Sequence, residues 1–169
     1  MTGTVRLHHW VLLISWVLAA PRMNAESQES LVTFYSNGPV RIGVSLISRV
    51  AFSGQVFDGT TRLAYLKHGT FVTISLRPGQ HTFSASFSSR PAPNSSLSIN
   101  LEGGKHYYVR TMADVKHAFV FAGAKGVLEQ VGCETAQAEA GGTTAVDMKQ
   151  VATGVGATPK NSSTFPDCQ

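Results

Sequence analysis

Charge is scarce in this chain: only 14% of its 169 residues are Asp, Glu, Lys or Arg, against 43% that are hydrophobic. That balance excludes a highly charged disordered chain, which stays unfolded for want of apolar surface to bury. Basic clusters are missing as well. The formal net charge is +4, and residues such as Arg41, Arg62, Arg77, Arg90 and Lys105 stand singly. A nucleic-acid binder gathers such residues into a stripe or patch, so nucleic acid is not an expected partner. Cysteine occurs twice, at Cys133 and Cys168. Two thiols that far apart, with no histidine at ligand spacing, make no structural zinc site. No GxSxG elbow is present. "GVGATP", residues 154 to 159, has Pro159 where a dinucleotide fingerprint places its third glycine, and only a short stretch follows it.

What is present begins with the N-terminus. Arg6, His8 and His9 lead into "WVLLISWVLAA", residues 10 to 20, and then into "PRMNAES". A basic start, an apolar stretch and a cleavage region follow in the order of a secretory signal. The apolar stretch falls short of the roughly 20 residues of a membrane-spanning helix, so residues 1–25 are expected to be a signal peptide rather than an anchor. Cleavage after Ala25 is preferred over Ala20, which would leave Pro21 at the new terminus. Loss of Arg6 and Arg22 leaves a mature net charge of about +2. The expected location is the periplasm or cell envelope, with no transmembrane segment once the signal is gone. In an exported chain an even cysteine count permits a disulfide between Cys133 and Cys168, two free thiols being the alternative.

From residue 31 the chain becomes a series of short alternating runs: "LVTFYS", "PVRIGVSLI", "GQVF", "TRLAYL", "TFVTISL", "HTFSASF", "LSINL", "KHYYVRT", "HAFVFA" and "GVLEQV". Turn pairs separate them, among them Asn37-Gly38, Asp58-Gly59, Pro78-Gly79 and Gly103-Gly104. Short strands at this spacing predict an all-β fold, a small antiparallel sandwich of about 7–9 strands over residues 30–132. Pro78 suits the first central position of a type II turn and Gly79 the positive φ of the second. Asp58-Gly59 is a pair favoured in two-residue hairpins. Both turns are read as hairpins. Alternation puts His81, Phe83, Ala85 and Phe87 on one face and Thr82, Ser84 and Ser86 on the other, toward water. It likewise groups Val72, Ile74 and Leu76, groups Leu97, Ile99 and Leu101, and sets Tyr107 and Tyr108 on opposite faces. After Gly132 the pattern dissolves. "ETAQAEA", residues 134 to 140, predicts one or two helical turns, and residues 133–169 as a whole are expected to be a flexible tail, tethered only by the disulfide.

No catalytic, metal or cofactor site emerges. His68, His81, His106 and His117 lie beyond the signal. His81 and His106 both follow turns at strand starts and so are candidates to meet, but neither has an acidic or thiol ligand beside it in sequence, and two ligands do not make a metal site. Asp58, Glu102, Asp114 and Glu129 show no pairing by spacing of the kind two-carboxylate hydrolysis requires. Tyr107, Tyr108, Phe119 and Phe121 are candidates for core packing or a stacking platform. Asn94 and Asn161 open "NSS" sequons, which matter only in a eukaryotic secretory pathway.

The order of the motifs is informative beyond the motifs themselves. Asp58-Gly59, then Gly69 to Phe71, then Pro78-Gly79 with His81, then Gly104-Lys105 with Tyr107 and Tyr108 resembles the bacterial Domain of Unknown Function 2846 family over roughly residues 40–132. The resemblance implies a small β-sandwich of the cell envelope with no enzymatic activity assigned. Unlike the lipoprotein members of that family, this chain has no cysteine directly following its apolar run at residues 10 to 20. The expected function is that of an exported, non-enzymatic binding or structural module for an envelope protein, glycan or peptide, with an exposed sheet edge as one means of binding. The rivals are a metal-dependent hydrolase built on His81 or His106, and a carbohydrate-binding domain using Tyr108 or an exposed Phe.

Overall fold

A computed structural model describes residues 28–37, 49–114, 125–152, 157–159 and 163–168. Residues 1–25, expected to be a signal peptide, the run at 39–47, Gly38, "HAFVFA" at 117–122 and Asn161 lie outside the described residues. Among the described residues nine strands precede the helix: β1 (Ser30–Ser36), β2 (Arg49–Ala51), β3 (Gly54–Asp58), β4 (Thr61–Leu66), β5 (Thr70–Leu76), β6 (Gly79–Ser86), β7 (Ser96–Leu101), β8 (His106–Asp114) and β9 (Lys125–Val131). The helix α1 (Cys133–Ala140) and the short strands β10 (Thr144–Ala145) and β11 (Ala157–Pro159) follow. The strands form two sheets, and the expected all-β sandwich is the fold.

One sheet runs β5, β1, β8, β9, with β2 continuing beyond β1 along the same side of β8. The other runs β4, β3, β6, β7 and is antiparallel throughout. Between them lies an apolar core built by alternation: Val32 and Phe34, Val72, Ile74 and Leu76, and Val109 from the first sheet meet Val56, Leu63, Leu66, Phe83, Ala85, Ile99 and Leu101 from the second. Phe34 and Phe83 meet edge to face with centroids 5.1 Å apart, the geometry aromatic quadrupoles favour.

Three departures from the expected architecture have physical causes. First, β1 and β8 are parallel, as are β10 and β5. The chain returns from β7 beside the entry to β1, where Leu31 N donates to Lys105 O (2.9 Å) and Gly104 N to Glu29 O (3.2 Å), so both strands set out in the same direction. Gly104 makes the return possible with φ +75°, a conformation costly for residues with a Cβ. Second, Pro78-Gly79 is not a hairpin turn. Gly79 has the expected positive φ, +137°, but β5 belongs to the first sheet and β6 to the second, so the turn is a corner between layers. Gly103-Gly104 is a second such corner. Asp58-Gly59 does serve a hairpin, β3 to β4, yet Asp58 pairs with Thr61, which places Gly59 and Thr60 in the loop and Asp58 in the strand.

Third, the described residues after Gly132, expected to belong to a flexible tail tethered only by the disulfide, pack onto both sheets. The expected helix forms, and Ala136 and Ala140 bury against the first sheet. Beyond it β10 and β11 pair with the outer edge of β5, while Val151 bridges Ala64 on β4 and joins the main core with Val146. The segment therefore laces one edge of each sheet. Cys133 and Cys168 form a disulfide, with Cα atoms 5.6 Å apart. Among the described residues no helix is long and apolar enough to cross a membrane.

Candidate functional site

His81, at the start of β6, lies where the corner from β5 meets the hairpin from β3. Its Nδ1 is 2.6 Å from Asp58 Oδ2 and its Nε2 2.9 Å from Arg77 O. The ring stacks on Phe83 at 5.7 Å. Asp58 Oδ1 also accepts from Thr82 N at 3.3 Å. Both ring nitrogens are thus engaged, one with the neighbouring strand and one with the corner, and the imidazole fastens the layer change. His106 sits in the other sheet. Its Nε2 is 2.8 Å from Thr33 Oγ1, which is 2.7 Å from Thr73 Oγ1, and its ring stacks on Tyr108 at 4.4 Å. The two histidines keep separate partners and do not form a pair. His68 is exposed in the corner before β5, and His117 lies outside the described residues. Among the described residues no three His, Cys, Asp or Glu side chains are grouped as a metal would require.

The larger polar assembly is on the outer face of the first sheet, beneath α1. Here the alternation that sends Phe34 and Val109 into the core sends Tyr35, Phe71, Tyr108 and Arg110 outward, and the helix covers them. The guanidinium of Arg110 donates to Glu139 of α1 and, at 2.8 Å, to Glu129 of β9. The phenol of Tyr35, fully buried, donates to the other oxygen of Glu139 at 2.6 Å. Asn37 Nδ2 donates to the backbone carbonyl of the same residue. Burial opposes the charge on Arg110, but the carboxylates of Glu129 and Glu139 outweigh it and raise its pKa. Burial first, then the hydrogen bond to Glu139 and that residue's charge, push the Tyr35 phenol well above its usual range. Tyr108 is raised by burial and then by Asp167. Tyr35, Tyr108 and Arg110 therefore keep their protons at neutral pH and serve as hydrogen-bond donors.

The sequence pattern missed this assembly, since its members stand at positions 35, 110, 129 and 139. The available signal was Arg110 itself, the one Lys or Arg in β8, alternating with Tyr108, which has to find carboxylates or remain a costly buried charge. Beside the assembly, Phe165 inserts its ring among Tyr35, Phe71 and Tyr108, at centroid distances of 5.7, 5.3 and 6.0 Å. Tyr107 packs instead against the main core, as alternation requires, while its hydroxyl accepts from Glu102 N at 2.9 Å. Tyr108, read as a core-packing residue with a glycan platform as the rival, is 4% exposed and lies under the C-terminal segment; Phe119 and Phe121 lie outside the described residues.

Elsewhere the second sheet carries a shallow depression of about 330 Å³ lined by Gly59, Thr82, Ser84, Pro91, Pro93 and Ser96. Ser84 and Ser86 are buried rather than turned to water. Ser86 is bonded to Ser88, and the loop that carries Pro91 and Pro93 shields Ser84. Phe87, on the apolar side of the β6 run, is 47% exposed and leans on Phe52 at 5.1 Å. The outer edge of β7 pairs with no strand among the described residues. Compared with known proteins, the chain matches no family model, no curated protein and no solved structure.

Proposed function

We propose that the protein is an exported, non-enzymatic β-sandwich module of the cell envelope that works by binding. The observation that carries this reading is the engagement of its ionisable side chains by one another. His81 is held by the Asp58 carboxylate and the backbone carbonyl of Arg77, and Arg110 by Glu129 and Glu139, so the groups a hydrolase would use are tied to the corner and to the helix. The Cys133–Cys168 disulfide supports export, because such bonds persist in oxidising compartments. The resemblance to the Domain of Unknown Function 2846 family points the same way.

The test compares wild-type chain with a His81→Ala/His106→Ala variant in capture from envelope extract, alongside metal analysis and N-terminal sequencing of the chain recovered from the periplasm. Equal capture by both, without stoichiometric metal and with a start after Ala25, is the expected result. A metal lost from the variant together with the partner overturns the reading in favour of a metal-dependent enzyme.

A further inference from the structure

We propose that the outer face of the first sheet holds a peptide-binding site, occupied in this structure by the chain's own C-terminal segment and intended for an extended, phenylalanine-bearing peptide of a partner protein. The inference rests on the reading of the protein as a binding module and names its site and ligand class. The seat is a slot with three aromatic walls, Tyr35, Phe71 and Tyr108, and the Phe165 ring fills it. Tyr35 and Phe71 meet that ring nearly at right angles, 87° and 71°, the arrangement that lets ring edges meet ring faces. Main-chain recognition is present but loose: Tyr108 Oη donates to Asp167 O at 3.4 Å and Gln137 Nε2 to Pro166 O at 3.5 Å. Affinity therefore resides in the aromatic residue, and the flanking positions are tolerant.

Two features separate this seat from ordinary core packing. Its walls are held by contacts that do not involve the segment: Tyr35 by Glu139, Tyr108 by stacking on His106, and Phe71 by the strand pairing of β5. A site whose walls are held in this way loses less on binding than one that must be ordered. The segment itself lies at the surface. Ser163, Thr164, Asp167 and Cys168 are exposed and Phe165 is only half-buried, whereas the Tyr35 beneath it has no exposure.

The latch is the disulfide, which ties Cys168 to the first residue of α1. Release proceeds by thiol–disulfide exchange with an external dithiol. One thiolate attacks a sulfur of the bridge and displaces the other cysteine as thiolate, which takes up a proton. The second thiol of the reductant then resolves the mixed disulfide. The protein gains two electrons and two protons, and the reductant leaves as a disulfide. Once released, the segment still competes in cis at a high effective concentration, on the order of millimolar for a short tether, so a partner peptide has to out-compete it.

The probe is a fluorescent peptide with the sequence of Ser163–Asp167, titrated by polarisation against full chains. Oxidised wild type is expected to bind at least about tenfold more weakly than a Cys133→Ser/Phe165→Ala/Cys168→Ser chain in which both latch and occupant are removed. Replacing the phenylalanine of the probe by alanine should cost about tenfold again, given three ring contacts. Failure of the folded triple variant to bind overturns the proposal while leaving the non-enzymatic reading intact. In case that variant does not fold, amide hydrogen exchange of the wild type with and without dithiothreitol gives a second decision. Selective loss of protection at Ser163–Cys168, with β1, β5 and β8 still protected, supports the latch. Unchanged exchange or global unfolding overturns it, as does dimerisation on reduction that the probe cannot compete away, which would make a second copy the occupant.

Discussion

The first sheet has two faces built from alternate residues of the same strands, and they are stabilised by different physics. Inward, Val32, Phe34, Val72, Ile74, Leu76 and Val109 gain from removing apolar area from water, a non-directional effect that tolerates repacking. Outward, Thr33, Tyr35, Thr73, Tyr108 and Arg110 depend on hydrogen bonds and ion pairs of fixed geometry. The inner face is covered by the second sheet, with Val146 and Val151 from the C-terminal segment joining the same core. The outer face is covered by a helix and a strap of chain that follow every long strand in sequence.

The strongest way to break that contrast is to truncate one residue on each side. Phe34→Ala opens a cavity in the main core and is expected to cost about 3–5 kcal/mol, read as a fall in the urea midpoint at unchanged slope. Arg110→Met removes the cation between two carboxylates, leaving Glu139 and Glu129 without their counter-charge. Uncompensated buried charge costs about 3–5 kcal/mol; with Glu129 partly in water, about 2–3 kcal/mol is expected here. Raising salt to molar levels should shrink the Arg110→Met loss by screening the leftover carboxylates and leave the Phe34→Ala loss unreduced. Equal salt responses would mean that the two faces are not different in kind.

Alkaline pH sharpens the contrast further. The folded-state pKa of Tyr35 is raised above its ordinary value of 10.0, by burial and then by Glu139, and that of Tyr108 is raised by burial and Asp167. A phenol whose folded pKa exceeds its unfolded one contributes stability that is fully present below about pH 10 and is lost as pH rises toward the folded value, because the unfolded chain releases its proton first. Stability should therefore fall above pH 10 by up to about 1.4 kcal/mol per pH unit for each such tyrosine. Tyr35→Phe is expected to cost about 1–2 kcal/mol at neutral pH, since it leaves Glu139 short of a donor, and to flatten the alkaline slope. An unchanged slope between pH 10 and 11.5 in denaturation curves would show that Tyr35 is not the group responsible.

The inner face was legible in the sequence and the outer face was not, for a physical reason. Alternation is local, so "TFVTISL" and "LSINL" announce which side chains enter a core whatever they meet there. Parallel pairing of β1 with β8 depends on where the chain re-enters the sheet, and the Arg110 assembly joins residues from β1, β8, β9 and α1. At the C-terminus, Gly, Thr, Ser and Ala read as a loose tail, yet its described residues make short pairings with β5 and place two valines in the core. The cysteine pair was the one local signal of that closure.

His81 gives the smallest effect and the clearest separation of structure from function. It was legible as a residue following a turn, but not as the clamp of a layer change, because the partner Asp58 arrives from another strand. His81→Ala removes two hydrogen bonds at a partly exposed corner, and Asp58 regains some solvent in compensation, so a loss of about 1 kcal/mol is expected. Thermal unfolding measures that loss, and the peptide titration on the latch-free chain should be unmoved by it, since the corner belongs to the second sheet and the slot to the outer face of the first. A peptide affinity that fell together with His81 would couple the two regions through the core, and the independence of the two faces would have to be given up.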